Sequence, residues 1–99
     1  MNPFEIVYNT IGAPEALTQL AEEAAELAQA ALKLRRALVK TNPTPQGVGK
    51  AMANLYEEIA DVQNCLSVID ARGQLDKGDI ERLREAKMTR WITRLGGGA

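Results

Sequence analysis

Two long stretches of the chain carry apolar residues at alternating intervals of three and four, and this spacing restricts the fold more than any other feature. The first series is Leu17, Leu20, Ala24, Leu27, Ala31, Leu34 and Leu38. The second series is Met52, Leu55, Ile59, Val62, Leu66 and Ile69. Such an interval places the side chains along one side of an α-helix, as a seam for a neighbouring helix. The two series therefore predict long helices over about residues 14–40 and 50–71.

Turn-forming residues predict how these helices begin and how they are connected. Asn2 and Pro3 suit the start of a short N-terminal helix. Gly12 is expected to end that helix, and Pro14 suits the first turn of the next one. The segment 41–49 is rich in proline, glycine and polar residues, which predicts an exposed loop between the two long helices.

A third helix is expected over about residues 79–95, with Asp79 as its N-cap. The composition favours helices, since 45% of the residues are hydrophobic but only 4% are aromatic, and strands prefer aromatic and β-branched residues. The predicted fold is an all-α, antiparallel helical bundle that forms a single domain over residues 1–99. Leucine and alanine seams of this size give a thin core, so we expect several copies to assemble into an oligomer.

Composition excludes several classes of function. The chain has no histidine and a single cysteine, Cys65, which argues against zinc sites, histidine-based catalysis and an internal disulfide. The net charge of −1 gives no general attraction to nucleic acid. No apolar run is long enough to span a membrane, and the N-terminus has no secretory signal pattern. We therefore expect a cytoplasmic protein without a membrane or nucleic-acid partner.

An acidic phrase occurs once in each long helix. Residues 20–27 read LAEEAAEL and residues 55–62 read LYEEIADV. Measured around the helix from the seam leucine, Glu23 and Glu26 lie at about 60° and 120°. Glu58 and Asp61 occupy the same two angles on the second helix. The repeat thus predicts a pair of carboxylates beside the seam on each helix.

If the two helices form an antiparallel hairpin, these four carboxylates converge. None has a basic residue four positions later to neutralise it. Two carboxylates about 6 Å apart repel each other by roughly 3 kcal/mol at an effective dielectric constant of about 20. A hard divalent cation would relieve that repulsion, and oxygen ligands without histidine suit Mg²⁺ or Mn²⁺. The alternative is that the acids form a solvated helix face.

The succession of E-E-x-x-E and E-x-x-D on two helices resembles the all-α nucleoside triphosphate pyrophosphohydrolases. That superfamily includes MazG-like proteins, dimeric dUTPases, dCTP pyrophosphatases and phosphoribosyl-ATP pyrophosphohydrolase. The resemblance implies that four residues bind Mg²⁺, with Mn²⁺ as a possible substitute: Glu23, Glu26, Glu58 and Asp61. It also implies that Glu22 and Glu23 assist catalysis.

The same resemblance implies a reaction and an assembly. The chain would be a Mg²⁺-dependent hydrolase of nucleoside triphosphates, in particular deoxynucleoside triphosphates. An activated water would attack the α-phosphorus and release a nucleoside monophosphate and pyrophosphate. The protein would act as a homodimer or homotetramer.

Basic and amide side chains complete the set of candidate site residues. Lys87, Arg90 and Arg94 lie along one side of the third helix and resemble the family's phosphate-binding segment. The alternative for this stripe is a solvated helix end whose charges complement the helix dipole. Gln19 and Asn64 lie near the acidic residues and are candidates for contact with sugar or base, or else are structural or solvated.

Two rival functions remain open at this point. One is phosphoribosyl-ATP pyrophosphohydrolase, which carries out the same chemistry on a metabolic substrate. The other is a non-catalytic helical module for oligomerisation, in which the acids are only surface charge.

Overall fold

The computed structural model describes residues 1–40 and 47–97, and these residues form three helices and no strand. Helix α1 spans Pro3–Val39, α2 spans Val48–Ile69 and α3 spans Lys77–Arg94. The prediction of an all-α fold is confirmed for these described residues. Within the described ranges, none of the helices combines the length and the apolar character needed to cross a membrane.

Helix α1 is broken near its beginning. The side chain of Asn2 caps it by accepting a 2.9 Å hydrogen bond from the backbone N–H of Glu5. At Gly12 the backbone leaves the helical region, with φ 80° and ψ 166°, a conformation that glycine adopts without steric cost. The break divides α1 into an N-terminal arm, residues 3–11, and a long arm, residues 13–39. The N-terminal arm is the short helix that the sequence predicts.

The observed helix ends differ slightly from the predicted ones. Helix α1 ends at Val39, and Lys40 adopts a left-handed conformation while its N–H donates to the Arg36 carbonyl at 2.8 Å. Of the predicted loop, residues 41–46 lie outside the described part of the chain. Val48 and Gly49 already belong to the first turn of α2.

Asp76, rather than Asp79, caps the third helix, so the predicted N-cap is wrong. The Asp76 carboxylate accepts a 2.9 Å hydrogen bond from the Asp79 N–H, which is the bond an N-cap makes with the third residue of its helix. Asp79 is therefore inside the first turn, where its carboxylate pairs with Arg82. Asp76 and Asp79 are both aspartates, three residues apart, and α3 begins directly after the first of them.

Helices α1 and α2 pack against each other as an antiparallel pair. The contact seam is formed by buried and half-buried side chains. On α1 these are Ala16, Leu20, Glu23, Leu27, Ala30, Leu34 and Ala37. On α2 they are Ala51, Leu55, Glu58, Val62, Cys65 and Val68. Leu34, Ala37 and Ala51 form the buried core at one end of the pair.

This seam is rotated from the predicted one. Leu17 and Leu38 were expected in the seam but are 56% and 58% exposed. The alanines are the most deeply buried residues, with Ala30 and Ala51 each 1% exposed. Small side chains allow two helix axes to approach closely, so the helices meet along the alanines and part of the leucine stripe faces outward.

Helix α3 makes no packing contact with α1 or α2 in the described part of the chain. All of its side chains are exposed, and Trp91 is 55% exposed. Among the described helices, α1 and α2 form a packed pair and α3 lies apart from them, so the helical bundle assembled into an oligomer stays a prediction.

Candidate metal centre

Glu23 and Glu58 lie inside the α1–α2 seam. Both are half-buried and take positions that apolar residues occupy elsewhere along the seam. The prediction that these two glutamates flank the seam is therefore wrong. The rotation that turns Leu17 and Leu38 outward brings these two glutamates inward. Glu26 and Asp61 remain exposed and lie about 60° to the side of Glu23 and Glu58, respectively.

The hairpin brings three of the four predicted metal ligands together. Carboxylate oxygens of Glu23, Glu26 and Glu58 all lie within 4.8 Å of one another. We call these three residues the carboxylate cluster. One oxygen from each is close enough to the others for a single ion to contact all three, as the repeat of the acidic phrase predicts.

Two oxygens of the carboxylate cluster are buried without a partner. Oε2 of Glu23 and Oε2 of Glu58 are shielded from solvent, and no described side chain or backbone group donates a hydrogen bond to either. Buried polar atoms in native proteins are almost always paired, because an unpaired one loses its hydration without compensation. A proton shared with the Glu26 carboxylate or a bound cation would each give these oxygens a partner.

The electrostatics of the cluster agree with this interpretation. Burial raises the pKa of Glu23 to about 7, and the charges of Glu26 and Asp61 contribute to the increase. Burial, followed by the charge of Glu26, also raises the pKa of Glu58. Both effects disfavour the ionised carboxylate. The two seam glutamates therefore carry an electrostatic cost that a nearby cation would offset.

Asp61 and Glu22 do not belong to the carboxylate cluster. Asp61 is outside the group of oxygens within 4.8 Å, but its charge raises the pKa of both Glu23 and Glu58. It is thus an electrostatic neighbour of the cluster. Glu22 is exposed on α1, about 100° around the helix from Glu23, and is not brought into the cluster.

The predicted substrate-binding residues lie in three separate parts of the structure. Gln19 lines a cavity one helical turn from Glu23. Asn64 is exposed on α2 and has no side-chain hydrogen bond in the described part of the chain. Lys87, Arg90 and Arg94 line a concavity of about 370 Å³ on α3, which does not contact the helices that carry the carboxylates.

The carboxylate cluster fits a hard divalent cation. Its donors are all carboxylate oxygens, which is the ligand type that Mg²⁺ prefers, and Mg²⁺ is commonly held by few carboxylates while it shares substrate phosphates. The two unpartnered buried oxygens, Oε2 of Glu23 and Oε2 of Glu58, would gain a partner. Cys65 carries the only thiol of the chain, and a thiol is a poor ligand for this class of ion.

Comparisons with protein-family models, with curated proteins and with solved structures found no match. The resemblance to the all-α pyrophosphohydrolases therefore stays a prediction, and the case for a metal centre depends on the cluster itself.

Sequence reasoning missed part of the surroundings of this centre. Val7, Ile11 and Cys65 line the cavity beside it and were not predicted as site residues. The break at Gly12 is the signal that could have indicated them, because a bend in α1 returns the N-terminal arm toward the hairpin.

Proposed function

We propose that this protein is a Mg²⁺-dependent nucleoside triphosphate pyrophosphohydrolase of the all-α, MazG-like class, with Mn²⁺ as a possible substitute. It would hydrolyse nucleoside triphosphates, in particular deoxynucleoside triphosphates, to a nucleoside monophosphate and pyrophosphate. Such a substrate is consistent with a cytoplasmic location. The observation that carries the proposal is the pair of unpartnered buried oxygens, one on Glu23 and one on Glu58, within a cluster of three carboxylates.

A solvated acidic face does not account for that observation. Exposed glutamates on a helix surface keep their hydration and stay near their ordinary pKa. Glu23 and Glu58 instead lie in the contact seam and have raised pKa values. A seam that served only for packing would be more stable with apolar residues at these two positions, so a binding role is favoured.

In this proposal each acidic residue has a distinct role. Glu23, Glu26 and Glu58 would hold the cation, and Asp61 would add negative charge or a further ligand at its edge. When bound, the cation would supply charge neutralisation for the phosphates and a lowered pKa for water. Glu22 is exposed beside the cluster in the chain, and we keep it as the candidate for accepting the proton of the attacking water.

The position of phosphate cleavage tests the proposed reaction. With Mg²⁺ and a panel of ribo- and deoxynucleoside triphosphates, we expect release of pyrophosphate, because the water attacks the α-phosphorus. Ion-exchange chromatography of the products and a pyrophosphate assay measure this outcome. Orthophosphate and a nucleoside diphosphate as products would contradict it. Phosphoribosyl-ATP belongs in the same panel, since preferential cleavage of that compound would establish the metabolic alternative.

The exposed apolar residues of α3 favour assembly with further copies. Six large apolar side chains on or next to this helix are at least 43% exposed: Ile80, Leu83, Met88, Trp91, Ile92 and Leu95. A second set faces outward from the α1–α2 pair, on the side opposite Glu26: Leu17, Leu38, Ile59 and Leu66. Exposed apolar surface of this extent is typical of interaction sites. We therefore keep the homodimer or homotetramer as part of the proposal, and this surface also suits the alternative of a non-catalytic oligomerisation module.

Light scattering at micromolar concentration tests the assembly, and we expect at least a dimer. The Trp91→Glu substitution should shift the protein toward smaller species, because it places a charge on the exposed apolar side of α3. Ala86→Glu is the matched control. It adds the same charge to the same helix, about 140° away from Trp91, and should leave the mass unchanged. A monomeric wild-type protein would contradict the expectation.

A further inference from the structure

The N-terminal arm, residues 3–11, is held to the rest of the molecule by few contacts. None of its residues is buried, and its apolar side chains Phe4, Ile6 and Val7 are 36%, 53% and 41% exposed. The described hydrogen bonds that its side chains donate, and the bond that caps it, stay within residues 1–10. An element with so little buried apolar surface opens at a lower free energy than the packed pair formed by the long arm and α2.

Arg72, in the turn between α2 and α3, joins this arm to the end of α2. Its guanidinium donates a hydrogen bond to Oδ1 of Asn9 and lies 5.0 Å from the centre of the Tyr8 ring. A guanidinium suits both contacts, because its plane stacks on an aromatic ring while its N–H groups donate hydrogen bonds. Among the described residues, no further side-chain hydrogen bond or ion pair links the arm to another part of the chain.

The turn that carries Arg72 is held in shape by its own hydrogen bonds. Oδ1 of Asp70 accepts a hydrogen bond from the backbone N–H of Leu75 at 3.0 Å, and Oδ2 of the same residue pairs with Lys77 at 3.2 Å. The backbone N–H of Arg72 donates to Oε1 of Gln74 at 2.9 Å. The guanidinium is therefore presented to the arm from a support that does not depend on the arm.

Gly12 is the point at which the arm can change direction. Its φ of 80° and ψ of 166° lie in a region that is essentially restricted to glycine. A Cβ at this position would have only Pro14 Cδ within 4 Å, at 3.9 Å, so the backbone angles and not crowding disfavour a side chain there. Glycine also has the widest choice of other conformations, which lets the arm turn away from α2 at low cost in backbone energy.

The arm forms one wall of a cavity of about 310 Å³ beside the carboxylate cluster. Val7 and Ile11 provide this wall, while Cys65 and Val68 line the cavity from α2. Because Val7 and Ile11 precede Gly12, they move with the arm. Turning the arm about Gly12 therefore opens the cavity and exposes Cys65 to solutes.

We infer that the N-terminal arm is a lid, with Gly12 as its hinge, and that Arg72 holds the lid closed over the side of the α1–α2 pair that contains Cys65. Opening breaks the two contacts of Arg72 and a small apolar contact, while the seam between the long arm and α2 stays packed. The inference concerns access to the interior of the pair, so it does not depend on the proposed reaction.

The rate of alkylation of Cys65 measures the opening of the lid, because this residue is the only cysteine and is half-buried. The reaction is followed by mass spectrometry at fixed pH, in EDTA and without nucleotide. In Arg72→Gln the rate should rise by about three- to tenfold, as for the loss of one hydrogen bond and one exposed cation–π contact. Arg82→Gln is the matched control. It removes the same charge from an exposed arginine that pairs with Asp79 inside α3, and it should behave as wild type.

A substitution at the hinge tests the lid independently of Arg72. Gly12→Ala disfavours the backbone conformation of the closed arm, so the alkylation rate should rise by at least about fivefold. Gly49→Ala is the matched control, since Gly49 lies in the first turn of α2 and has neither a positive φ nor a neighbouring atom within 4 Å of an added Cβ. It should leave the rate unchanged.

The dependence on urea separates opening of the lid from unfolding of the whole chain. Opening exposes little surface, so at urea concentrations well below the unfolding midpoint the alkylation rate should hardly change, whereas global unfolding depends steeply on urea. Circular dichroism melting curves show whether each variant is folded. An alkylation rate that is the same in wild type, Arg72→Gln and Gly12→Ala, that rises equally in Arg82→Gln, or that follows the urea dependence of global unfolding would overturn the lid.

Discussion

The Glu58→Gln variant is expected to lose more than about 100-fold of its pyrophosphohydrolase activity. Glu58 is half-buried in the seam and has one buried, unpartnered oxygen in the carboxylate cluster. A neutral amide is a poorer ligand for a hard cation. Substitution of residues that only support metal ligands already costs about 10- to 100-fold, so loss of a ligand itself should cost more.

The stability of Glu58→Gln with and without Mg²⁺ should show whether Glu58 belongs to a cation site. Without Mg²⁺, Glu58→Gln removes a negative charge that the charges of Glu26 and Asp61 repel. The apoprotein of this variant should therefore be as stable as wild type or more stable. With Mg²⁺ at 100 times its dissociation constant, the free energy of unfolding of the wild type should rise by about 2.7 kcal/mol. If the substitution weakens binding 100-fold, the gain falls to about 0.4 kcal/mol.

Melting curves of both proteins with and without Mg²⁺ measure these changes, together with one activity assay. Glu57→Gln is the matched control, since Glu57 is the preceding glutamate on α2 but is exposed and outside the carboxylate cluster. It should retain activity and the full Mg²⁺ effect. Equal Mg²⁺-dependent shifts in wild type and Glu58→Gln, with activity retained, would remove Glu58 from the centre.

Mg²⁺ binding and apoprotein stability are expected to depend on pH in opposite directions. The pKa of Glu23 is about 7 in the folded protein, above its ordinary value of 4.5, so the folded state binds this proton more tightly than the unfolded state. Its contribution to stability is complete below about pH 4.5 and is lost as the pH rises through 7. Glu58 is shifted in the same direction. The apoprotein should therefore become less stable between pH 5 and about 8.

The cation requires the ionised carboxylates, so its binding releases protons. The apparent affinity for Mg²⁺ should rise by about tenfold per pH unit below 7 for each proton released, and should level off above that pH. Melting curves from about pH 5 to 8, with and without Mg²⁺, measure both trends. The shift of Asp70 does not interfere, because its pKa is lowered from 3.8 by the Leu75 N–H and Lys77 and acts only at lower pH.

The Glu23→Gln substitution tests whether the Glu23 carboxylate causes this pH dependence. In Glu23→Gln the loss of apoprotein stability near pH 7 should disappear, since the group that titrates there is gone, and the stabilisation by Mg²⁺ should be weak at every pH because a ligand is gone. An apoprotein with constant stability over this range, or an Mg²⁺ effect that does not vary with pH, would contradict a buried carboxylate at position 23.

The sequence alone was sufficient for the local structure. Spacing of apolar residues located the two long helices, and the proline and glycine residues located the breaks beside them, because both effects act within a few residues of the chain. Even the convergence of the acids was predictable, since the repeated phrase places Glu23 and Glu58 at equivalent positions on two helices that a hairpin brings together. The main local error, Asp79 instead of Asp76 as N-cap, is a shift of one turn between two equivalent side chains.

Only the tertiary structure decided which side of each helix faces its neighbour. The predicted and observed seams share Leu20, Leu27, Leu34, Leu55 and Val62. They differ at the positions between these residues, where the observed seam has alanines, Glu23 and Glu58. Both are periodic at the spacing of a helix, so periodicity cannot choose between them. Hydrophobicity favours the leucines, because a half-buried glutamate costs free energy. The structure nevertheless buries Ala30 and Ala51 most deeply, so the helices pack along the other seam. The carboxylate cluster and the cavity beside it both follow from contacts between residues distant in the chain, and such contacts leave no periodic signal in the sequence.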